Sequence, residues 1–335
     1  MKKIFTTGLL LFALVCGKHV SAQVDPHFSQ YYMHPTWLNP ALTGAFDGNV
    51  RVTGIYRNQW NNISSGFKTP GVSADFATEK NVNFGVSVLN QKAGDGGYSY
   101  TTAYGSLAYT GLRFGTNGTQ RIVLGMQAGL VDRRFDRNKL TFGDQWNPIT
   151  GYNPGSTSLD MLQANSSTVF DAGLGALYYD GRANRKANLY LGFAASHVTQ
   201  PKDKFIGEGD AKLPIRYNIH GGVKINVNES FSITPNALYS RQGSASETVV
   251  GAYGQFRVTE TTDFMIGANY RFKDAIAPYV GIMYNNLIIG ASYDVNTSDL
   301  GKFGGNANAF EVSITFIGKK KGKTNVDGNF VCPRL

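Results

Sequence analysis

No disulfide can brace this chain. Its 335 residues contain 2 cysteines. Cys16 falls in a leader-like N-terminus and Cys332 stands alone near the other end. A fold without such staples rests on backbone pairing and burial. Long apolar runs are missing as well. No stretch of about 18 consecutive apolar residues occurs, which excludes a helical membrane protein. Mean hydropathy is slightly polar at -0.22. Clusters that carry chemistry are equally scarce. His27, His34, His197 and His220 lack the spacing with cysteines or acids that a metal site requires. Ser196 and His197 are neighbours in an expected strand, so they should point to opposite faces and cannot serve as nucleophile and base. The glycine-rich Gly94-Asp95-Gly96-Gly97 and Gly304-Gly305 lack the Lys-Ser/Thr ending of a phosphate loop and read as hairpin turns. No catalytic, metal or cofactor residue is assigned, and no enzyme is expected.

What the chain does have is a leader and a rhythm. Lys2 and Lys3 precede an apolar stretch from Ile4 to Val15 that is too short to span a bilayer. Val20-Ser21-Ala22 offers a small-residue cleavage site. Residues 1–22 are therefore expected to be an export signal. Beyond it, fourteen stretches of alternating apolar and polar residues follow one another from Val50 to Ile317. In Phe310-Glu311-Val312-Ser313-Ile314-Thr315-Phe316 every second side chain is apolar. Period two sends the two sets to opposite faces of a strand. Behind a secretory signal, this pattern predicts an all-β, transmembrane antiparallel barrel of about 14 strands.

Strands are expected at 49–59, 71–79, 83–90, 98–114, 121–135, 168–180, 188–200, 214–226, 231–242, 246–258, 263–273, 276–285, 287–296 and 309–317. Every second connection is then short, and most long ones fall between them. Outer-membrane barrels show this asymmetry, with short periplasmic turns and longer external loops. The charges expected to face the lumen are Arg51, Arg57, Asp75, Arg113, Asp171, Arg216, Lys224, Arg241, Arg257, Arg271, Asp294 and Glu311. A dry sandwich core would bury these ions at great cost, whereas a wet lumen tolerates them.

Residues 23–47 do not alternate and read as an N-terminal periplasmic or plug segment before a barrel spanning 48–318. The long loop from Asp136 to Ser167 is a second candidate to constrict the lumen, or an external partner-binding loop. The precursor carries a formal charge of +9. Losing Lys2, Lys3 and Lys18 with the leader lowers it by three. Residues 319–335 form a basic periplasmic tail holding Lys319, Lys320, Lys321, Lys323 and Arg334 against Asp327. Export and membrane patterning argue against nucleic acid as the partner of that charge. An acidic periplasmic protein, lipid headgroups or plain solvent remain.

The N-terminal residues are more specific than the rhythm. His27-Phe28-Ser29-Gln30-Tyr31-Tyr32, then Pro35, Leu38-Asn39-Pro40-Ala41-Leu42-Thr43-Gly44 and Tyr56-Arg57-Asn58-Gln59-Trp60 form one motif. Tyr293-Asp294-Val295-Asn296-Thr297-Ser298 and Cys332-Pro333 close the chain. Together they resemble the PorP/SprF family of type IX secretion-associated outer-membrane proteins. The resemblance implies an accessory barrel that serves export or surface anchoring of gliding-adhesin cargo, or anchors periplasmic, peptidoglycan-linked machine parts. It supplies no catalytic residues. The docking candidates on this motif are His27, Phe28, Gln30, Tyr31, Tyr32, Asn39, Pro40, Arg57, Asn58, Gln59, Trp60 and Asp294. A solute porin or transporter is the competing reading.

Overall fold

The computed structural model describes residues 25–319 apart from 61–65, 79, 95, 116–117, 137–138, 154, 157–165, 184, 203–211 and 299–307. The expected export signal and the tail beyond Lys319 lie outside these residues. Fourteen strands close a single antiparallel barrel. They are β1 (Val50–Gln59), β2 (Phe67–Phe76), β3 (Val82–Ala93), β4 (Tyr98–Phe114), β5 (Gln120–Arg134), β6 (Ser166–Asp180) and β7 (Ala187–Ser196). The second half comprises β8 (Arg216–Asn226), β9 (Phe231–Gln242), β10 (Ala245–Thr259), β11 (Thr262–Arg271), β12 (Ala275–Tyr284), β13 (Leu287–Asn296) and β14 (Ala309–Gly318). The seam runs between β1 and β14 in unbroken register, from Val50 opposite Gly318 to Gln59 opposite Ala309. Closure gives each of the fourteen strands a neighbour on both sides, which a hydrocarbon environment demands.

Alternation decides which side chains meet lipid. On β3, Phe84, Val86 and Val88 are exposed on the outer face, while Asn83, Ser87 and Leu89 are buried. Aromatic pairs mark both rims. Tyr56 with Phe310 and Tyr270 with Phe272 sit toward the long-loop end, and Phe114 with Tyr178 and Phe231 with Phe256 toward the short-turn end. Such amphipathic rings suit the two membrane interfaces. Both barrel termini, Val50 and Gly318, lie at the short-turn end, which is the periplasmic one.

Several expected boundaries shift, each for a local reason. The second strand runs over Phe67–Phe76 rather than 71–79. Pro70 sits inside it, where the ladder to β3 skips from Lys68 to Gly71 because proline has no N–H to donate. The seventh stops at Ser196 rather than 200, since His197 turns the backbone into the left-handed region with φ +60. Ser196 and His197 are consequently both buried on the inside, against the expectation that they face apart. His197 gives both ring nitrogens to carboxylates, so it is no base for Ser196. Arg241 pairs with outward-facing Tyr217 and is exposed outside rather than in the lumen. A one-residue difference in parity is enough to move it. Arg113 and Arg257 belong to exposed ends of β4 and β10 at the periplasmic rim.

The residues before β1 occupy the lumen. Every residue from Asp25 to Phe46 is buried except His27 and Gly44, which are partly exposed. The segment folds as a 3-10 turn at Tyr31–Met33, the single-turn helix α1 at Pro35–Leu38, and a second 3-10 turn at Pro40–Leu42. Pro35 and Pro40 start the latter two, where a missing N–H costs nothing. The described residues of the long 136–167 loop lie at the external end instead. There Trp146–Asn147 pairs with Gly151–Tyr152 in a small hairpin.

Candidate functional site

The N-terminal segment threads the barrel from its external end to its periplasmic rim, and three sets of contacts hold it. At the external end Asp25 meets His197, one residue past β7. His197 Nε2 lies 2.7 Å from Asp25 Oδ2 and Nδ1 lies 2.8 Å from Asp171 Oδ2. Arg216 Nη1 is 2.9 Å from Asp25, and the Tyr100 hydroxyl donates to Asp25 at 3.0 Å. Burial disfavours charge on His197, yet the flanking carboxylates of Asp25 and Asp171 prevail and push it up to about 9. Burial also opposes charge on Asp25, but His197 and Arg216 hold it well below the usual carboxylate range. The ordinary state is thus an imidazolium donating to two carboxylates.

The second set lies beside the barrel seam. Arg57 on β1 donates to Glu311 on β14 and, at 2.9 Å, to Asp294 on β13. Arg271 on β11 also bonds Asp294. The plug enters this cluster through its backbone and hydroxyl. Ser29 N–H donates to Glu311, Gln30 N–H donates to it at 2.9 Å, and Ser29 Oγ donates to Asp294 at 2.7 Å. Gln30 is clasped further, accepting from Ser313 Oγ at 2.7 Å and donating to Ser292 Oγ at 3.1 Å. Each charge is paired and hydrogen-bonded, the condition under which buried ions are tolerable.

The third set is made by shape as much as by polarity. Tyr31 donates to Asn236 at 2.6 Å, and Tyr32 packs edge-on to Tyr279. Asn39 donates to the backbone oxygens of Ala176 and Phe193, at 3.1 and 3.2 Å, and its Nδ2 lies 3.1 Å from His220 Nε2. His220 is therefore walled in by the plug rather than solvated. A Cβ on Gly125 would stand 2.2 Å from Ala41 N, and one on Gly175 2.0 Å from Asn39 Oδ1. Only glycine leaves the Asn39-Pro40-Ala41 turn room against this wall. Near the periplasmic rim Arg51 bonds Asp75 and donates to the Leu42 carbonyl at 3.0 Å, while Gly44 N–H donates to Asp75 at 2.7 Å.

The sequence-derived docking candidates divide accordingly. Gln30, Arg57 and Asp294 converge in the seam cluster, with His27 Nε2 at 3.5 Å from Arg57 and Gln59 accepting from it at 3.2 Å. Phe28, Tyr31, Tyr32, Asn39 and Pro40 are plug residues packed on the wall. Asn58 alternates with Arg57 along β1 and does not join the cluster. Trp60 ends the strand at the external rim with its ring 5.4 Å from that of Phe67. Asp25 and His197 were missed as site residues. The inward parity of Glu311, Arg271, Asp171 and Arg216 was the legible signal for the other partners.

The sequence matches the family model of the type IX secretion system membrane protein PorP/SprF over residues 20–316. The chain belongs to the PorP/SprF family. A search of curated proteins gives no match. Among solved structures it is similar to the Ralstonia pickettii toluene transporter TbuX, 11% identical, with TM-score 0.50 over 84% of this chain and 92% of that one. The Pseudomonas putida toluene transporter TodX is 9% identical, with TM-score 0.47 over 84% and 93% of the two chains. At these identities the likeness is one of fold alone, carried by the first. Family and fold together place this PorP/SprF protein in the outer membrane, associated with type IX secretion.

Proposed function

We propose that this PorP/SprF barrel is a non-enzymatic, sealed scaffold in type IX secretion. Its external loops hold exported cargo of the gliding-adhesin type at the surface. Its periplasmic rim meets machine parts, including a peptidoglycan-linked partner. The observation that carries this reading is the filled lumen. A segment buried along almost all of its length, and tied to the wall by the buried ion pairs of Asp25 with His197 and Arg216, leaves little for a solute to pass through. The barrel's chemistry is then directed to its two ends. At the external one, Trp146 and Ile149 of the small hairpin stand 62% and 92% exposed, far more than a self-contained loop needs.

Deleting the gene tests the reading. Surface display of specific cargo should fall while envelope permeability to small solutes stays unchanged. Normal display in the deletion strain would refute it. Transport is the alternative reading, favoured by cavities that remain beside the plug, of about 280 Å³ at the periplasmic end and about 380 Å³ near Arg216 and Glu247. Steady single-channel conductance by the intact protein, lost on substituting lumen charges, would decide for transport.

A further inference from the structure

The plug does not fill the periplasmic half of the lumen evenly. Its last turn, Pro40–Leu42, packs on β4, β5, β6 and β7. The opposite side keeps a cavity of about 280 Å³ that opens between the periplasmic turns around Thr261 and Asn286. A narrower apolar extension shares Tyr32, Met33, Met283 and Ile288 with it and reaches Met265 and Tyr279. Three of the chain's 6 methionines therefore gather here. Methionine surfaces are polarizable and adapt to varied apolar guests. Within this apolar lining the Tyr279 hydroxyl is buried and has no hydrogen-bond partner among the described residues, with the residue only 2% exposed. Such an orphan donor costs free energy unless a guest supplies an acceptor.

We propose that this periplasmic pocket is a peptide site occupied in cis by the C-terminal end of the same chain, with Phe330-Val331 inserted among the methionines. Lys319 itself lines the pocket and donates to Asp47 at 2.7 Å, so residues 320–335 start from its lip. The tail reads Lys320-Lys321-Gly322-Lys323-Thr324-Asn325-Val326-Asp327-Gly328-Asn329, a polar tether, and then Phe330-Val331-Cys332-Pro333. Eleven residues from Lys319 to Phe330 span up to about 36 Å when extended. That is ample slack for the end to fold back. Asp47 and Glu260 at the mouth carry charge opposite to that of the tail's lysines. A peptide also answers the orphan hydroxyl, because it brings a backbone carbonyl with its apolar side chain. A tether this short gives an effective concentration on the order of millimolar, so modest intrinsic affinity suffices.

Cys332, two residues from Phe330, provides the probe. Cys16 falls within the export signal expected to be removed, so a nitroxide reagent labels Cys332 in the processed protein. The protein is studied purified in non-ionic detergent, without anionic lipid or partner, and its folding is confirmed by heat-modifiable migration. The expected result is an immobilised spin label in the wild type. The label becomes freely mobile both in Phe330→Asp and in Ile288→Trp, which fills the pocket from the wall. Reaction of Cys332 with a water-soluble maleimide should quicken at least tenfold in both variants. A label equally mobile in all three proteins overturns the proposal, as it would if the tail served only a partner or a lipid surface. A label immobilised in all three also overturns it, because the tail is then held elsewhere.

Discussion

Replacing Glu311 with glutamine is the sharpest probe of how the plug is held. The carboxylate accepts from Ser29 N–H and Gln30 N–H of the plug and from Arg57 of the wall. Glutamine keeps the shape, removes the charge, and turns one acceptor oxygen into a donor facing other donors. Arg57 retains Asp294, so the wall's charge is not left wholly unpaired. Removing one member of a buried, hydrogen-bonded ion pair costs about 3–5 kcal/mol. At about 1.36 kcal/mol per factor of ten, the released fraction of the plug should rise roughly 10²- to 10⁴-fold. The barrel should remain closed, because the β1–β14 seam pairs ten residues on each strand. Amide hydrogen exchange by mass spectrometry reads both quantities in one experiment. Peptides covering residues 25–34 should exchange faster by that factor, while strand peptides keep their protection. Unchanged exchange at 25–34 would refute the account of the cluster. Equal acceleration in the strands would show that Glu311 serves barrel closure instead.

Further outcomes follow from the same geometry. Gly125→Ala puts a methyl against Ala41 backbone and should cost about 1–3 kcal/mol, read as faster exchange in peptides covering residues 38–43. The His197 latch gives a pH dependence. Its folded value of about 9 lies above the ordinary 6.5, so its stabilisation is complete below about pH 6.5 and fades as pH rises through 9. Asp25, held low, gives way only in strong acid. The thermal midpoint should therefore drop between pH 6 and 10 in the wild type and stay flat over that range in His197→Gln. Replacing Trp146 and Ile149 by serine should leave that midpoint unchanged and reduce cargo retained at the cell surface.

The barrel was legible because period two survives in nearly every strand, and the lipid-facing and lumen-facing sets differ in polarity. Boundaries were less so. The second strand was expected to begin at 71, yet it already includes Pro70, accommodated where the β2–β3 ladder skips two residues. His197 looked like the continuation of a strand, and only its left-handed backbone turns it inward beside Ser196. The motif residues Gln30, Arg57 and Asp294 could be picked out by type but not joined. They lie 27 to more than 200 positions apart, and only the closed sheet brings β1, β11, β13 and β14 to one point. Two segments competed to enter the lumen, since amphipathic aromatics serve packing and docking alike. The structure seats the N-terminal one there and leaves the small hairpin of the long loop outside. The tail beyond Lys319 carries a sequence pattern without a described position.

Single-channel recording in planar bilayers, comparing the intact protein with a variant lacking residues 25–46, tests the sealed lumen most directly. The intact protein should be electrically silent, and the deletion should open steady channels without preventing barrel assembly. Large, stable conductance from the intact protein, unchanged by the deletion, would contradict the account.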